Sequence, residues 1–463
     1  MKIFRVALML ALVFAILAMP YGASAVRYTS YTTTLQIYNL EGGTASISMY
    51  FYNPDGSIAA IVPDTIAGND DKTYTTLDVA AGFDGSMTIF SSTDIAAISN
   101  IRGTLGSTTS DAAYVAAKEG NPTIQLPLLQ KNNGQLLWNS WFNVQNVGSD
   151  VTTVSVKYSD IATAVTRTIQ PYASVRFDQS TENHPNRTFA AEVTSTSTTP
   201  QDLAVTVINE HANAIYAYTG FAATSTNPVM PLINYQPTSD RGWTTGMQIQ
   251  NTSTTVATNV TVSYTPSPGA GTACTETQSI PPTESRTFAL NAFASTRAGE
   301  TCINGARFVG SAKVTTNTGN VGLTVIVNQQ RSLKVPASYF TGAYGGFDTS
   351  VATNRVVFPL IQDRNGAAQN FTGFNVMNVG NLATTVTCTF TGSTRTVSQL
   401  VQPNAALNHV QWLFFPTVPY VGSAICTASG GDEKIVGVIN QQSTNFTNQD
   451  RFLVSEGVNT VAP

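Results

Sequence analysis

Apolar and polar residues alternate along most of the chain, in short runs separated by turn-forming residues. Between residues 121 and 225 the alternation predicts strands at 123–130, 136–147, 151–158, 164–169, 173–177, 188–196, 203–210 and 214–221. The runs are rich in β-branched residues, Asn-Gly, Gly-Ser-Asp and Gln-Pro turn signals separate them, and no helical period occurs. Eight short strands in about 105 residues predict an antiparallel β-sandwich, with a closed barrel as the alternative.

This strand pattern recurs along the chain. Four apolar strands end in an asparagine that serves as a landmark, and the landmarks are 107, 105 and 127 residues apart: Asn39, Asn146, Asn251 and Asn378. Three of the four follow an opening strand with a Pro-Leu-Leu or Pro-Leu-Ile core: Gln125-Leu-Pro-Leu-Leu-Gln130, Val229-Met-Pro-Leu-Ile-Asn234 and Val357-Phe-Pro-Leu-Ile-Gln362. A later strand in each copy also ends in asparagine, at Asn100, Asn209, Asn328 and Asn440. The fold class predicted is therefore all-β, with four tandem antiparallel β-sandwich repeats of immunoglobulin-like type.

The repeats also predict domain boundaries. We place a signal peptide at 1–25 and sandwich repeats at 26–120, 121–225, 226–350 and 351–463. In the third repeat 77 residues separate the two asparagines, against 61 to 63 in the others, which indicates an insertion of about fifteen residues. The first repeat has only thirteen residues before Asn39, so we expect it to lack an opening strand.

Aromatic residues recur at equivalent positions of the repeats. Tyr31, Trp138 and Trp243 each stand eight residues before a landmark asparagine. Repetition at equivalent positions favours core packing, and a sugar-stacking platform is the alternative. The landmark asparagines themselves are interpreted as turn formers, because the side chain of asparagine can bond its own backbone.

The first residues have the pattern of a secretion signal. Lys2 and Arg5 precede an apolar run, residues 6–19, and Ala23-Ser24-Ala25 supplies the small residues that a signal peptidase requires. We expect a mature chain that begins at Val26, with an uncleaved membrane anchor as the alternative. No later run reaches the roughly eighteen apolar residues of a membrane span, so we expect a secreted protein at or outside the cell surface.

Composition excludes one class of partner and supports packed cores. Charged residues make up 11% of the chain and hydrophobic residues 42%, and the net charge is −4. No basic stripe accompanies that charge, which argues against nucleic acid as a partner. The hydrophobic share is sufficient for sandwich cores, and the abundance of Thr, Val, Tyr and Phe is typical of strands.

The four cysteines predict two disulfides, as is usual in secreted chains. Locality favours Cys274 with Cys302, around the insertion of the third repeat, and Cys388 with Cys426, which would tie an early strand to a late one. Zinc is the alternative, but there is no Cys-x-x-Cys and no histidine at ligand spacing.

No residue pattern predicts catalysis, a cofactor or a metal. His184, His211 and His409 fall at non-equivalent positions, and no Gly-x-Ser-x-Gly elbow accompanies them. Asp70 and Asp71 are interpreted as solvated loop charge and not as calcium ligands, because a calcium site needs six or more oxygens. Five Asn-x-Ser/Thr triplets permit glycosylation, at Asn186, Asn251, Asn259, Asn370 and Asn445.

The Pro-Leu-Leu openers and the Asn-ending strands resemble the broad class of prokaryotic secreted surface proteins built of tandem immunoglobulin-like sandwiches. The resemblance covers the whole mature chain. It implies stalks, adhesins, surface-layer parts or filament subunits, and it brings no catalytic residues with it.

Two functions compete. The first is a structural subunit of an extracellular filament or sheath whose partners are copies of itself. The second is an adhesin that binds glycans or cells through exposed aromatic residues, with Tyr344 and Phe347 as candidates. An enzyme is a third and weaker hypothesis.

The chain ends predict how a filament would form. The tail resembles the residues that lead into the openers of the third and fourth repeats, whereas the first repeat lacks an opener. Because an unpaired edge accepts strands from other chains, we expect the tail of one subunit to complete the first repeat of the next. The alternative is that residues 26–33 cover their own edge and the tail frays. The proposed polymerisation strand consists of Gly457, Val458, Asn459, Thr460, Val461, Ala462 and Pro463.

Overall fold

The computed structural model describes residues 28–236, 242–290, 301–334, 337–367, 369–412, 414–415, 419–443 and 449–460. In these ranges the chain is all-β and contains no α-helix, and its strands form eight sheets, antiparallel except for one short parallel pair. The predicted fold class, tandem antiparallel β-sandwiches, is confirmed. The predicted signal peptide and Val26 lie outside the described residues.

Four sandwiches follow one another along the chain. The first contains β1 (Ser30–Asn39), β2 (Ala45–Tyr52), β3 (Ile58–Ile66), β4 (Asp71–Tyr74), β5 (Ser86–Ser91), β6 (Ile95–Leu105) and β7 (Thr108–Val115). The second contains β8 (Thr123–Lys131), β9 (Asn139–Asn146), β10 (Thr152–Tyr158), β11 (Val165–Ile169), β12 (Ser174–Asp178), β13 (Arg187–Ser195), β14 (Leu203–His211) and β15 (Ala214–Thr219).

The third and fourth sandwiches repeat this order. The third contains β16 (Val229–Tyr235), β17 (Trp243–Asn251), β18 (Thr258–Pro266), β19 (Cys274–Ile280), β20 (Ser285–Phe288), β21 (Phe308–Thr316), β22 (Leu323–Lys334) and β23 (Ala337–Gly345). The fourth contains β24 (Arg355–Asp363), β25 (Phe371–Asn378), β26 (Thr384–Phe390), β27 (Thr396–Val401), β28 (Ala406–Val410), β29 (Tyr420–Ser429), β30 (Ile435–Gln442), β31 (Gln449–Asp450), β32 (Leu453–Glu456) and β33 (Val458–Thr460).

Each sandwich pairs two sheets, which we name by the second sandwich. The opening sheet has the order β11-β10-β13-β8 and contains the opening strand β8 at one edge. The ring sheet has the order β12-β9-β14-β15. The third sandwich repeats both orders, and the fourth adds β33 beside its opening strand β24. The first sandwich has a ring sheet, β4-β1-β6-β7, which β31 extends, but an opening sheet of only three strands, β3-β2-β5.

Burial explains the residue patterns of the two sheets. Strands of the opening sheet such as β26 alternate buried and partly exposed residues, because one face packs on the core and the other faces solvent. The central strand β14 of a ring sheet is buried along most of its length. Its outward face is partly covered by the first sandwich, where Ile208 packs in a cluster with Tyr28 and Ala112.

The landmark asparagines are buried turn formers, as their positions at strand ends predicted. Asn146 donates from Nδ2 to the carbonyl oxygens of Asp150 at 2.7 Å and Gln170 at 3.1 Å, and its Oδ1 accepts the amide hydrogen of Gly148 at 3.0 Å. The other three landmarks make the same kinds of bonds: Asn39, Asn251 and Asn378. Each side chain thus joins the turn that follows its strand to a segment of the opposite sheet.

Both predicted disulfide pairings are present, Cys274–Cys302 and Cys388–Cys426. Cys388 and Cys426 are direct cross-strand partners on β26 and β29. This bridge therefore lies within one sheet, whereas the conserved bridge of antibody domains joins two sheets. Disulfides are characteristic of oxidising compartments such as the cell exterior.

The four sandwiches form a closed ring. The last strand of each ring sheet contacts the next: β7 with β15, β15 with β23, β23 with β32, and β32 with β7. The first and fourth sandwiches therefore meet within one chain. Gln36 donates to the carbonyl of Pro359 at 3.0 Å, and Tyr38 packs with Val357 and Val458 in a small shared core.

Polar side chains link these last strands near the ring centre. The carboxylate of Asp450 accepts the backbone amide of Thr341 at 3.1 Å and lies 3.0 Å from its hydroxyl. That hydroxyl also bonds the carbonyl of Ile215 at 3.0 Å, so three sandwiches share one network. Burial raises the pKa of Asp450 well above its usual range, with a further contribution from the charge of Asp111.

Candidate assembly site at the open edge of the first sandwich

The missing opening strand leaves one edge of the first sandwich without a partner in the described residues. In the other sandwiches the opening strand pairs antiparallel with the strand that corresponds to β5: β8 with β13, β16 with β21, and β24 with β29. In the first sandwich, β2 is the one partner of β5 among the residues that the structure describes. Its second edge therefore presents backbone groups at the position where an opening strand would lie.

Core side chains near this edge are more exposed than their counterparts. Met87 and Ile89 point from β5 toward the core and are half-buried, whereas Ala191 and Val193 on β13 are buried. Ile95 at the start of β6 is also half-buried, in contrast to its buried equivalents Leu203, Leu323 and Ile435. An opening strand covers these positions in the complete sandwiches. The first core is thus open along β5.

One residue beside the opening-strand position differs between the first sandwich and the other three. This residue directly follows the last strand of each ring sheet and donates its amide hydrogen to a carbonyl in the middle of the strand before. In the complete sandwiches it is Gly220, Gly346 or Gly457. A Cβ at Gly220 would lie 2.5 Å from Cγ2 of Ile124, and a Cβ at Gly457 would lie 2.5 Å from Cε1 of Phe358. Side chains of the opening strand therefore crowd this position in the second and fourth sandwiches, whereas in the third the nearest opening-strand atom, Sδ of Met230, would lie 3.6 Å from a Cβ at Gly346.

In the first sandwich the equivalent residue is Ala116, whose amide donates to the carbonyl of Ala97 at 2.9 Å. Its methyl group fits because no Ile124 or Phe358 equivalent stands opposite. Ala116 packs half-buried against the first core. The side chain that an incoming strand places here must therefore be smaller than Ile124 or Phe358.

A tyrosine hydroxyl marks the same position. Two residues before the glycine, Tyr218 donates to the carbonyl of Leu128 at 2.8 Å and Tyr344 donates to that of Leu232 at 2.6 Å. Both bonds fix the backbone of an opening strand just after its proline. Tyr114 stands two residues before Ala116, and its hydroxyl forms no hydrogen bond within the part of the chain that the structure describes.

The second sandwich forms a wall beside this site. Gln145 donates to the hydroxyl of Thr88 at 3.3 Å, and Ser86 donates to the carbonyl of Tyr172 at 3.1 Å. Stacked rings of Tyr52 and Tyr172 add an apolar contact, with centroids 5.1 Å apart. These contacts hold the outward face of β5 and leave its edge and its core-facing side chains open.

In the structure the tail belongs to the fourth sandwich. Val458–Thr460 forms β33 and pairs with Arg355–Val357 of the same chain. Val458 occupies the position of Phe221 and Phe347, each of which follows the glycine described above and bridges to its own opening strand. Val461, Ala462 and Pro463 lie outside the described residues.

The aromatic candidates for glycan binding are buried. Tyr344 is fully buried and its hydroxyl is bonded within the third sandwich, and Phe347 is buried beside its own opening strand. The prediction that these two aromatic side chains are exposed is therefore wrong, because both pack against the opening strand of their own sandwich.

The glycosylation candidates separate by exposure. Asn186 and Asn259 are exposed and Asn370 is half-buried, while Asn445 lies outside the described residues. Asn251 is a fully buried landmark whose amide donates to Val256 and Ile280. It cannot carry a glycan in the folded chain.

The histidines do not converge on a common site. His184 is buried with Nδ1 at 3.0 Å from Asp160, and its ring stacks on Phe189. His211 packs against Trp138, and burial lowers the pKa of His409. The described ranges contain no group of three or more His, Cys, Asp or Glu side chains that could hold a metal ion. They also contain no helix with the length and hydrophobicity that a membrane crossing requires.

A cleft of about 180 Å³ lies between the second and third sandwiches. Gln125 and Gln250 meet there across the interface, with Nε2 of Gln250 at 3.0 Å from Oε1 of Gln125. Tyr158 lines the cleft but is buried, so its ring face cannot stack on a ligand.

The asparagine landmarks of the repeats do not point to Tyr114 and Ala116, which belong to a separate repeated motif. The motifs Tyr114-Val-Ala116, Tyr218-Thr-Gly220 and Tyr344-Gly-Gly346 share a spacing that a third landmark would have revealed. Neither a scan against family models nor a search of curated proteins finds a match to this chain.

Proposed function

We propose that the protein is an extracellular structural subunit of a surface filament, sheath or layer, and that it assembles through the open edge of its first sandwich. The observation that supports this most directly is the three-stranded opening sheet, β3-β2-β5, beside three complete sandwiches. An unprotected edge with apolar side chains beneath it is a template for a strand from another chain.

Other features agree with a structural role outside the cell. Two disulfides and sparse charge suit a protein of the oxidising cell exterior. The closed ring forms one body, and the open edge of the first sandwich would be its binding surface for another copy. A contact between an edge of one copy and a different surface of the next copy is heterologous. Repetition of such a contact extends an open filament, unless the rotation between neighbouring copies closes a ring.

Electron microscopy of the purified mature protein tests the proposal, with two matched variants. Ile89→Lys places a charge toward the core at the open edge, and Val62→Lys places one at the other edge strand of the same sheet, where the native residue is also half-buried. We expect wild type and Val62→Lys to form ordered polymers and Ile89→Lys to remain dispersed, with circular dichroism to verify folding. Polymers of Ile89→Lys, or none from wild type at high concentration, would contradict the proposal.

A glycan-binding adhesin is the second candidate, and the cleft between the second and third sandwiches is its remaining support. Glu192 and Gln250 line that cleft with polar groups suited to sugar hydroxyls. A glycan array measures this directly. Specific binding that Gln250→Ala abolishes, with dispersed monomers in the microscope, would favour the adhesin.

A further inference from the structure

The open edge selects its occupant by size. We infer that β5 accepts an extended segment of a separate polypeptide, antiparallel to β5 and apolar at alternate positions, with alanine or another small residue where it faces Ala116. This inference rests on the proposed role of the edge and adds the sequence that the partner must have.

The direction and pattern of the occupant come from the three complete sandwiches. Each opening strand runs antiparallel to its neighbour and shifts register near its proline, for example between Phe189 and Ala191 opposite β8. Its core-facing residues, such as Ile124 and Leu126, are buried. A segment that fills the β5 edge in the same way buries Met87, Ile89 and Ile95.

The size limit comes from Ala116. A Cβ at Gly220 would lie 2.5 Å from Ile124 and 2.9 Å from Leu126, so methyl and large side chain exclude each other there. Ala116 carries that methyl. The occupant therefore replaces the isoleucine or leucine with a small residue, and strands with the side chains of the second or fourth opening strand are rejected.

A backbone anchor for the occupant comes from Tyr114. Its counterparts Tyr218 and Tyr344 each bond the residue after the proline of an opening strand. The Tyr114 hydroxyl stands ready to bond the corresponding carbonyl of the occupant. This bond is independent of side-chain identity, so it contributes affinity and not selectivity.

We assign the occupant to a separate polypeptide, since the opening strands within the described ranges are engaged in their own sheets and β33 is paired beside β24. Pro20 stands nineteen residues before Asn39, as Pro127 stands nineteen before Asn146. The test therefore uses protein that begins at Val26, so that the leader sequence does not compete.

Two synthetic peptides serve as probes. One has the sequence of residues 123–131, and the other has alanine in place of Ile124 and Leu126. Binding is measured by fluorescence anisotropy to the mature wild type and to Ala116→Gly. We expect wild type to prefer the alanine peptide by about tenfold and Ala116→Gly to prefer the native peptide, since removal of the methyl restores the space found at Gly220.

Tyrosine variants test the anchor. Tyr114→Phe should weaken binding of both peptides about five- to tenfold and leave the thermal midpoint unchanged. Tyr218→Phe, the matched control, should lower the thermal midpoint because it deprives Leu128 of a bond in the folded chain.

The outcomes separate this inference from the proposed function. If the two peptides bind wild type and Ala116→Gly with equal preference, the size rule is wrong while the open edge stands. If neither peptide binds either protein, the edge is not an acceptor and both proposals fail. If wild type prefers the alanine peptide and Ala116→Gly prefers the native peptide, but electron microscopy shows no polymers, the size rule is supported and the filament proposal is wrong.

Discussion

Four buried asparagines fix the turns that join the two sheets of each sandwich. For Asn146, substitution by alanine leaves the carbonyls of Asp150 and Gln170 and the amide of Gly148 without their partner. Unpaired buried groups cost about 1–3 kcal/mol each, so we expect Asn146→Ala to lower the free energy of unfolding by roughly 2–4 kcal/mol. Urea denaturation followed by fluorescence measures the change.

Asn183 provides the control for this prediction, because it is an exposed loop residue with no hydrogen bond among the described residues. Asn183→Ala should change the free energy of unfolding by less than about 0.5 kcal/mol. Equal effects of the two substitutions would show that the landmark bonds do not stabilise the fold.

Asp450 makes stability depend on pH in an unusual direction. Burial raises its pKa well above the usual range, and burial also raises the pKa of Glu456 in the same region. A folded-state pKa above the unfolded value of about 4 means that the stabilising contribution is present in full below that value. It is lost as pH rises through the folded-state pKa. The thermal midpoint should therefore be higher at pH 5 than at pH 7.5, by about 2 °C or more.

Asp450→Asn removes the titrating group at the ring centre, so the difference between the two midpoints should shrink. Asp78→Asn is the control, since Asp78 is exposed and should leave the difference unchanged. A midpoint that falls on mild acidification of the wild type would mean that other carboxylates, such as Asp64 with its pKa lowered by Lys72, dominate.

At the scale of strands, the tail belongs to the fourth sandwich. Val458 packs with Tyr38 of the first sandwich and Val357 of the fourth, so β33 also contributes to ring closure. A chain truncated after Glu456 should show faster hydrogen exchange at Arg355–Val357, because the opening strand β24 loses its edge partner. Exchange measured by mass spectrometry gives this rate.

Truncation after Thr460 is the matched control, because it removes three residues and keeps β33. We expect its exchange at β24 to equal that of the full mature chain. If both truncated chains exchange alike at β24, the pairing of β33 does not protect this strand.

Strand existence was predictable from sequence, whereas contacts between sandwiches were not. Alternation and turn residues located strands such as β9 and β14 to within a few positions, because the period of two reflects burial inside a sandwich. Tyr344 and the tail were misinterpreted because the sequence alone did not show that each packs on the opening strand of its own sandwich. The short start of the first repeat indicated a missing strand, but the role of Ala116 becomes visible only by comparison with Gly220 and its neighbour Ile124.

At the scale of the whole molecule, ring closure explains why the chain has so few charged residues. Outward faces of the ring sheets, which would be solvated in separate domains, are covered by neighbouring sandwiches. Gln250 on β17, for example, is buried against Gln125 of the preceding sandwich. Uncharged amides suit such interfaces because each can donate and accept without the desolvation cost of an ion.

The ring makes a definite prediction for the shape of the monomer in solution. Cleavage before Val26 would leave 438 residues. A compact body of that length has a radius of gyration of about 22 Å. Four separate domains in a line, each with a radius of gyration of about 13 Å, would extend beyond roughly 130 Å and give about 40 Å. Small-angle X-ray scattering of the mature chain distinguishes the two.

We expect a value near the compact limit, and we expect Ile89→Lys to scatter like wild type at low concentration, because the open edge takes no part in ring closure. Val458→Asp should raise the radius of gyration, since it places a charge in the apolar contact with Tyr38 and Val357 that joins the fourth sandwich to the first. Thr460→Asp, on the same short strand but outside that contact, is the control. An extended wild-type monomer would show that the first and fourth sandwiches do not meet.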